Sequence, residues 1–144
     1  MSGKPLTIVV VDDDQIDVMA IERSLRKSRV GNPIVVASDG VDALHLLRGE
    51  NGKTVPKRPY IILLDINMPR MDGHQFLTEL RADPVLSDAV VFMLTTSKEE
   101  EDVLACYAKY VAGYIVKGNA GIDFLSAVEL VDHFWKIVEL PKGA

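Results

Sequence analysis

Five short apolar runs, separated by stretches of helical periodicity, constrain most strongly what this sequence can fold into. The runs are Leu6–Val11, Ile34–Ala37, Tyr60–Leu64, Val90–Leu94 and Gly113–Val116. Most of their residues are apolar, many of them β-branched, which is typical of strands buried on both faces. Strands that alternate with helices favour a parallel sheet covered on both sides by right-handed crossovers. We therefore predict an α/β fold.

The segments between the runs carry the apolar stripe of amphipathic helices. The stripe residues are Val18, Ile21 and Leu25 in the first helix, Leu44 and Leu47 in the second, and Phe76, Leu77 and Leu80 in the third, over about His74–Arg81. Asp39 can cap the second helix, and Ser97 with Glu100 matches a capping box for a fourth. A fifth helix is predicted over Ile122–Val138, and Asn51–Pro59 is the longest loop.

Composition indicates a single globular domain over residues 1–144, with short tails at 1–5 and 139–144. Hydrophobic residues make up 48% of the 144 residues and charged residues 26%, as in soluble proteins. The net charge of -5 argues against a nucleic-acid partner. We expect no membrane association, because no apolar run is long enough to span a bilayer. The lone Cys106 favours a reduced, cytoplasmic compartment.

Polar residues follow four of the five runs. Asp12 and Asp13 follow the first, Asp65 the third, Thr95 the fourth and Lys117 the fifth. The carboxyl ends of parallel strands share one edge of the sheet, and ligands bind beyond that edge. We therefore expect these side chains to meet at one rim.

Three carboxylates at one rim predict a metal site. Alone, Asp12 and Asp13 could simply cap a helix, as we expect of Asp14 and Asp17. Asp65 brings a third negative charge, and clustered carboxylates repel one another unless a cation neutralises them. Mg²⁺ suits such oxygen ligands.

Lys117 and Thr95 extend the predicted site. Taken singly, the first is an ordinary surface lysine and the second a residue that favours strand ends. Together with the aspartates they offer a nucleophilic carboxylate, a fixed cation and a hydroxyl donor. Phosphoryl transfer needs these parts, because the protein mainly positions groups and stabilises charge on the phosphoryl oxygens.

Four segments resemble the signatures of response-regulator receiver domains, in order and with the family's spacing: Val10–Asp13, Leu64–Gly73, Leu94–Thr96 and Tyr114–Lys117. The resemblance covers nearly the whole chain from Leu6. It implies a flavodoxin-like doubly wound sheet of five parallel strands, in the order 2-1-3-4-5, with five helices.

The resemblance also implies a role for each acidic residue. Asp65 would be the phosphoacceptor that attacks the phosphohistidine of a sensor histidine kinase. Asp13, Asp65 and the backbone carbonyl of Asn67 would bind Mg²⁺, with Asp12 acting through water. The chain would then be a stand-alone regulator that signals by conformational switching, without a DNA-binding domain.

The remaining implied residues bind the phosphoryl group or respond to it. Lys117 would bind one phosphoryl oxygen, Thr95 would donate a hydrogen bond to another, and Tyr114 would be the switch aromatic. Thr96 is larger than the residue common there and would restrict access. Gly118 replaces the proline that usually follows the lysine, so we expect a trans peptide at this point.

A narrower resemblance concerns the partner. Arg58–Pro59, Phe134–Trp135 and Val138–Pro141 resemble the corresponding segments of small regulators that partner phytochrome-type kinases. The expected partner is therefore a sensor histidine kinase, which could be a bacteriophytochrome, or a phosphotransfer protein.

The last predicted helix carries two apolar stripes, although covering a sheet needs only one. One stripe runs through Val128, Val131, Trp135 and Val138, and the second through Ala127, Leu130, Phe134 and Ile137. We expect the surplus apolar surface to form a homodimer interface, with Val131, Phe134, Trp135 and Val138 as its residues. The alternatives are that Leu140 and Pro141 fold back over the second stripe, or that residues of the fifth strand and the fourth helix reach it.

Two other classes of function use similar parts. A Mg²⁺-dependent phosphatase with an aspartyl nucleophile would carry that nucleophile after the first strand, whereas Asp65 follows the third. A flavin-binding module would need a phosphate cradle after the first strand, where Asp12 and its neighbours repel phosphate. The resemblance to receiver domains implies a phosphoacceptor that assists its own phosphorylation and dephosphorylation, not an enzyme.

Overall fold

A computed structural model describes residues 7–27, 33–66, 68–95 and 111–116. It contains five strands, β1 to β5 in chain order. Their bounds are Thr7–Val11, Ile34–Ala37, Tyr60–Asp65, Val90–Thr95 and Gly113–Val116. Each lies within one residue of its predicted run, because the apolar pattern ends where the polar rim residues begin.

All of the observed pairings between strands are parallel, and the strand order is β2-β1-β3-β4-β5. The chain therefore starts in the sheet at β1, moves outward to β2 and returns past β1 to β3. The carboxyl ends of β1 and β3 consequently lie side by side at the point where the order reverses. Val11 and Leu64 are partners in register at that point.

Three helices are described, namely α1 (Gln15–Lys27), α2 (Gly40–Arg48) and α3 (Gly73–Ala82). Asp39 caps α2 as predicted, since its side chain accepts a hydrogen bond from Asp42 N. The predicted fourth and fifth helices lie outside the described residues. Within the described part of the chain, no helix has the length and apolarity needed to cross a bilayer.

The core lies between the sheet and helices α2 and α3. Every residue of β1 and β3 is buried, which confirms the interpretation of their apolar runs. The predicted inward residues of α2 and α3 are all buried: Leu44, Leu47, Phe76, Leu77 and Leu80. Val18 and Ile21 of the predicted α1 stripe are buried, and the side chain of Leu25 is not described. Strand β2 is more exposed, because it lies at the edge of the sheet.

Candidate functional site

Three carboxylates meet at the carboxyl end of the sheet. Asp12 directly follows β1, Asp13 comes next, and Asp65 is the last residue of β3. One oxygen from each lies within 4.8 Å of the others, with Asp12 and Asp65 buried and Asp13 exposed. The structure therefore brings the three predicted acidic residues together, because β1 and β3 are neighbours in the sheet.

Backbone hydrogen bonds hold the acidic turn after β1 in place. Asp12 Oδ1 accepts from Asp14 N at 2.9 Å, and Asp12 N donates to Ala37 O at 3.1 Å. Asp14 Oδ1 in turn accepts from Ile16 N at 2.8 Å, in the first turn of α1. Asp14 thus caps the helix as predicted, while Asp12 and Asp13 remain at the rim.

The donor set fits a divalent cation. The three side chains present carboxylate oxygens, which are the ligands that hard ions such as Mg²⁺ and Mn²⁺ prefer. Placing three negative charges this close is costly without a positive charge among them. Asp12, Asp13 and Asp65 are therefore the residues that could hold the ion.

The first residue of α3 packs against the backbone of Asp65. Gly73 N donates to Ile66 O at 2.8 Å. A Cβ atom at Gly73 would lie 2.6 Å from the carbonyl oxygen of Asp65 and 2.9 Å from Ile66 Cα. Real Cβ atoms do not approach backbone atoms so closely, so glycine is required here by close contact.

The loop from β3 to α3 is also tied to α2. Arg70 Nε donates to Asp39 Oδ2 at 2.7 Å, and Gly40 N donates to Met71 O at 3.3 Å. A Cβ at Gly40 would lie 2.7 Å from Met71 Cγ. The hydrogen bond to Asp39 raises the pKa of the Arg70 guanidinium.

The other predicted site residues are described partly or not at all. Thr95 ends β4 opposite Val116, and Tyr114 lies in β5 opposite Met93, as expected from their positions. The side chains of Thr95 and Tyr114 are not described. The remaining predicted residues lie outside the described part of the chain: Asn67, Thr96, Lys117, Gly118, Val131, Phe134, Trp135 and Val138.

Sequence reasoning missed two features near the rim. Asp72 and Gln75 form a capping box at the start of α3, and their three-residue spacing was a signal that could have revealed it. The Arg70–Asp39 pair joins residues far apart in the chain, and nothing in the local sequence indicates it.

Comparison with known families decides what kind of domain carries this rim. The sequence model of the response regulator receiver domain matches residues 8–129. The chain belongs to the response regulator receiver family. Receiver domains are phosphoacceptor signalling modules that partner histidine kinases, and in this one Asp12, Asp13 and Asp65 form an acidic cluster at the rim.

Several relatives of this receiver are regulators associated with phytochromes. The response regulator Rcp1 of Synechocystis sp. is 33% identical over 141 residues, which cover 97% of this chain and 96% of that protein. The phosphorylated cyanobacterial phytochrome response regulator RcpA has a TM-score of 0.83 at 33% identity, over 96% of this chain and 100% of the other.

A solved structure of Rcp1 bears on the metal. The Mn²⁺-bound form of Rcp1 has a TM-score of 0.77 at 31% identity, over 95% of this chain and 99% of the other. The acidic cluster is typical of a divalent metal site, and a homologue has been crystallised with such a metal.

Together these relatives confirm the resemblance to phytochrome-associated regulators that was inferred from the sequence.

Proposed function

We propose that this receiver accepts a phosphoryl group on Asp65, in the presence of Mg²⁺, from a sensor histidine kinase, and signals by a change of conformation. The observation that carries the proposal is the position of Asp65. It ends the central strand β3, is buried, and lies within 4.8 Å of two further carboxylates at the rim. We further propose that the residues outside the described part complete a flavodoxin-like single domain with five helices.

The acidic residues would bind the metal ion in two ways, directly or through water. Asp13 and Asp65, with the backbone carbonyl of Asn67, would hold Mg²⁺, and Asp12 would act through water. The ion, when bound, supplies positive charge that lets an anionic donor approach the aspartates. Asp12 is held by the hydrogen bond from Asp14 N, so its carboxylate is oriented before any ligand arrives.

The transfer itself needs little covalent chemistry from the protein. An oxygen of Asp65 bonds to phosphorus as the phosphorus–nitrogen bond of the donor phosphohistidine breaks, and the imidazole leaves with the bonding electrons. Lys117 would stabilise one phosphoryl oxygen and Thr95 would donate a hydrogen bond to another. Tyr114 would report the movement of Thr95 by turning inward, which shifts a two-state equilibrium.

The proposed partner reaches the rim beside α1. Ile16 and Met19 are exposed apolar side chains in the first turns of α1, at 78% and 59% exposure. Because α1 begins directly after the acidic turn, a kinase or phosphotransfer helix that approaches Asp65 would cover them. Several relatives are named as phytochrome or bacteriophytochrome regulators, which supports a phytochrome-type kinase as the partner, in the cytoplasm.

We also propose a homodimer, on the sequence pattern of residues 127–138 alone. Phe134 and Trp135 are large apolar side chains that a single sheet face does not need to bury. Sedimentation of the wild type and of Phe134→Asp at micromolar concentration tests this, since only the wild type should dimerise.

Intact-mass analysis after incubation with acetyl phosphate tests the central proposal. Wild-type protein should gain one phosphoryl group with Mg²⁺ and none after chelation, because the ion is needed to admit an anion to the acidic rim. Asp65→Asn should gain none. Asp83→Asn is the matched control, since it removes a carboxylate at the opposite end of the sheet, and it should be labelled like wild type. Labelling that persists in Asp65→Asn would refute the assignment.

A further inference from the structure

The loop that follows the phosphoacceptor is anchored at both ends and at its tip. At its ends, Gly73 N donates to Ile66 O, so the chain returns to the backbone next to Asp65. Met68 and Met71 are partly buried and pack against the core. At the tip, Arg70 makes a charged contact through its 2.7 Å bond to Asp39.

The tip has a strained backbone. Arg70 has a φ of 62°, and Met71 N donates to Pro69 O at 2.7 Å across it. This is a γ-turn with a positive φ at its centre, a conformation that residues other than glycine rarely adopt. Such a conformation persists only where surrounding contacts maintain it.

The Asp39 carboxylate helps to maintain it, beside the hydrogen bond from Gly40 N to Met71 O. The side chain of Asp39 is only 6% exposed, whereas that of Arg70 is 59% exposed. Asp39 Oδ1 accepts from Asp42 N at 2.8 Å, which leaves Oδ2 for Arg70. One carboxylate therefore caps α2 and also binds the loop tip through Arg70. The position of the loop is thus fixed relative to α2.

We infer that Arg70 and Asp39 are positioning residues that hold the loop after Asp65 and thereby fix the Asp65 carboxylate in the position that binds Mg²⁺. The inference rests on the proposed function, in which Asp65 is a ligand of the ion. Groups that orient metal ligands typically change metal affinity about tenfold or more when removed. The pair touches neither the phosphoryl group nor the ion, and acts through the loop.

Titration of the full-length protein with Mg²⁺ alone, followed by calorimetry, tests the inference. Arg70→Ala should weaken Mg²⁺ binding about tenfold. Asp39→Ser should do the same while keeping the helix cap, because serine is also a good N-cap. Arg70→Lys keeps the charge without the planar guanidinium and should recover part of the affinity. Hydrogen exchange of the backbone amides of Met68 and of residues 70–72 should rise in the two weakened variants.

Arg48→Ala is the matched control, because it breaks a second arginine–aspartate pair, with Asp83 at 3.0 Å, far from the rim. It should leave Mg²⁺ affinity unchanged. Wild-type affinity in both Arg70→Ala and Asp39→Ser would overturn the inference, as would an equal loss in Arg48→Ala. If Arg70→Ala does not fold, Asp39→Ser and Arg70→Lys decide. Failure of wild-type Asp65 to be labelled would instead refute the proposed function.

Discussion

At the carboxyl end of the sheet one oxygen from each of three carboxylates lies within 4.8 Å of the others, whereas at the amino end the described residues include an arginine–aspartate ion pair and two further arginines with partners. There Arg48 pairs with Asp83 at 3.0 Å, and Arg81 donates to the carbonyl oxygens of Ser87 and Ala89. The guanidinium of Arg58 lies 5.4 Å from the centre of the Tyr60 ring.

The charged groups at the two ends of the sheet therefore have opposite effects on folding stability. Arg48 and Asp83 at the amino end pair within the chain, so their contact contributes to stability as soon as the protein folds. The crowded carboxylates at the rim oppose folding until a cation joins them. A site that must bind an ion and then an anionic donor retains this unfavourable charge, and the rest of the fold offsets it.

The largest expected effect on stability comes from replacing a glycine. Gly73 at the rim is required by close contact, whereas Gly52 at the other end of the sheet is required only by its backbone conformation. Gly73→Ala at the rim should lower the free energy of unfolding by about 3 kcal/mol, because the new Cβ would meet the Asp65 backbone at 2.6 Å. Gly52→Ala, in the loop after α2, should cost about 1 kcal/mol, since only its φ of 76° is unfavourable and nothing lies within 4 Å. Urea denaturation measures both. If both variants lost the same free energy of unfolding, the close contact at Gly73 would not be the cause of its destabilisation.

Removing a rim carboxylate should stabilise the fold, whereas removing one partner of an ion pair should destabilise it. Without Mg²⁺, Asp13→Asn should raise the free energy of unfolding by about 1 kcal/mol, because it removes one of three repelling charges. With millimolar Mg²⁺ the wild type should gain stability by preferential binding to the folded state, and the variant should gain little. Thermal melts with and without the ion measure both effects. A wild-type midpoint that ignores Mg²⁺ would contradict the metal site.

The smallest expected effect is at Asp83. The hydrogen bond from Val85 N, together with Arg48, lowers the pKa of this carboxyl below its ordinary value. A lowered folded-state pKa adds stability above the unfolded pKa near 4, and that stability is lost as pH falls through the folded value. Asp83→Asn should therefore cost about 0.5 kcal/mol at pH 7 and nothing at about pH 2. Urea denaturation of both proteins across this pH range tests the prediction. A stability difference between wild type and Asp83→Asn that does not change with pH would exclude the ionic explanation.

Much of the site was predictable because it depends on strand ends. The apolar run of β3 stops at Asp65 and that of β1 stops before Asp12, so the parallel sheet alone requires both to reach one edge. The helix cap at Asp39 was predictable for a similar reason, since capping is a contact within one turn.

The amino-acid sequence by itself determined the alternation of strands and helices, the buried faces and the identity of the rim residues, because these follow from local periodicity. Only the tertiary structure decided that Arg70 grips Asp39, that Gly73 lies against the Asp65 backbone, and that Arg48 neutralises Asp83. Each of these contacts joins different elements of the fold, and the packing of α2 and α3 on the sheet sets their distances. No local pattern encodes such a distance.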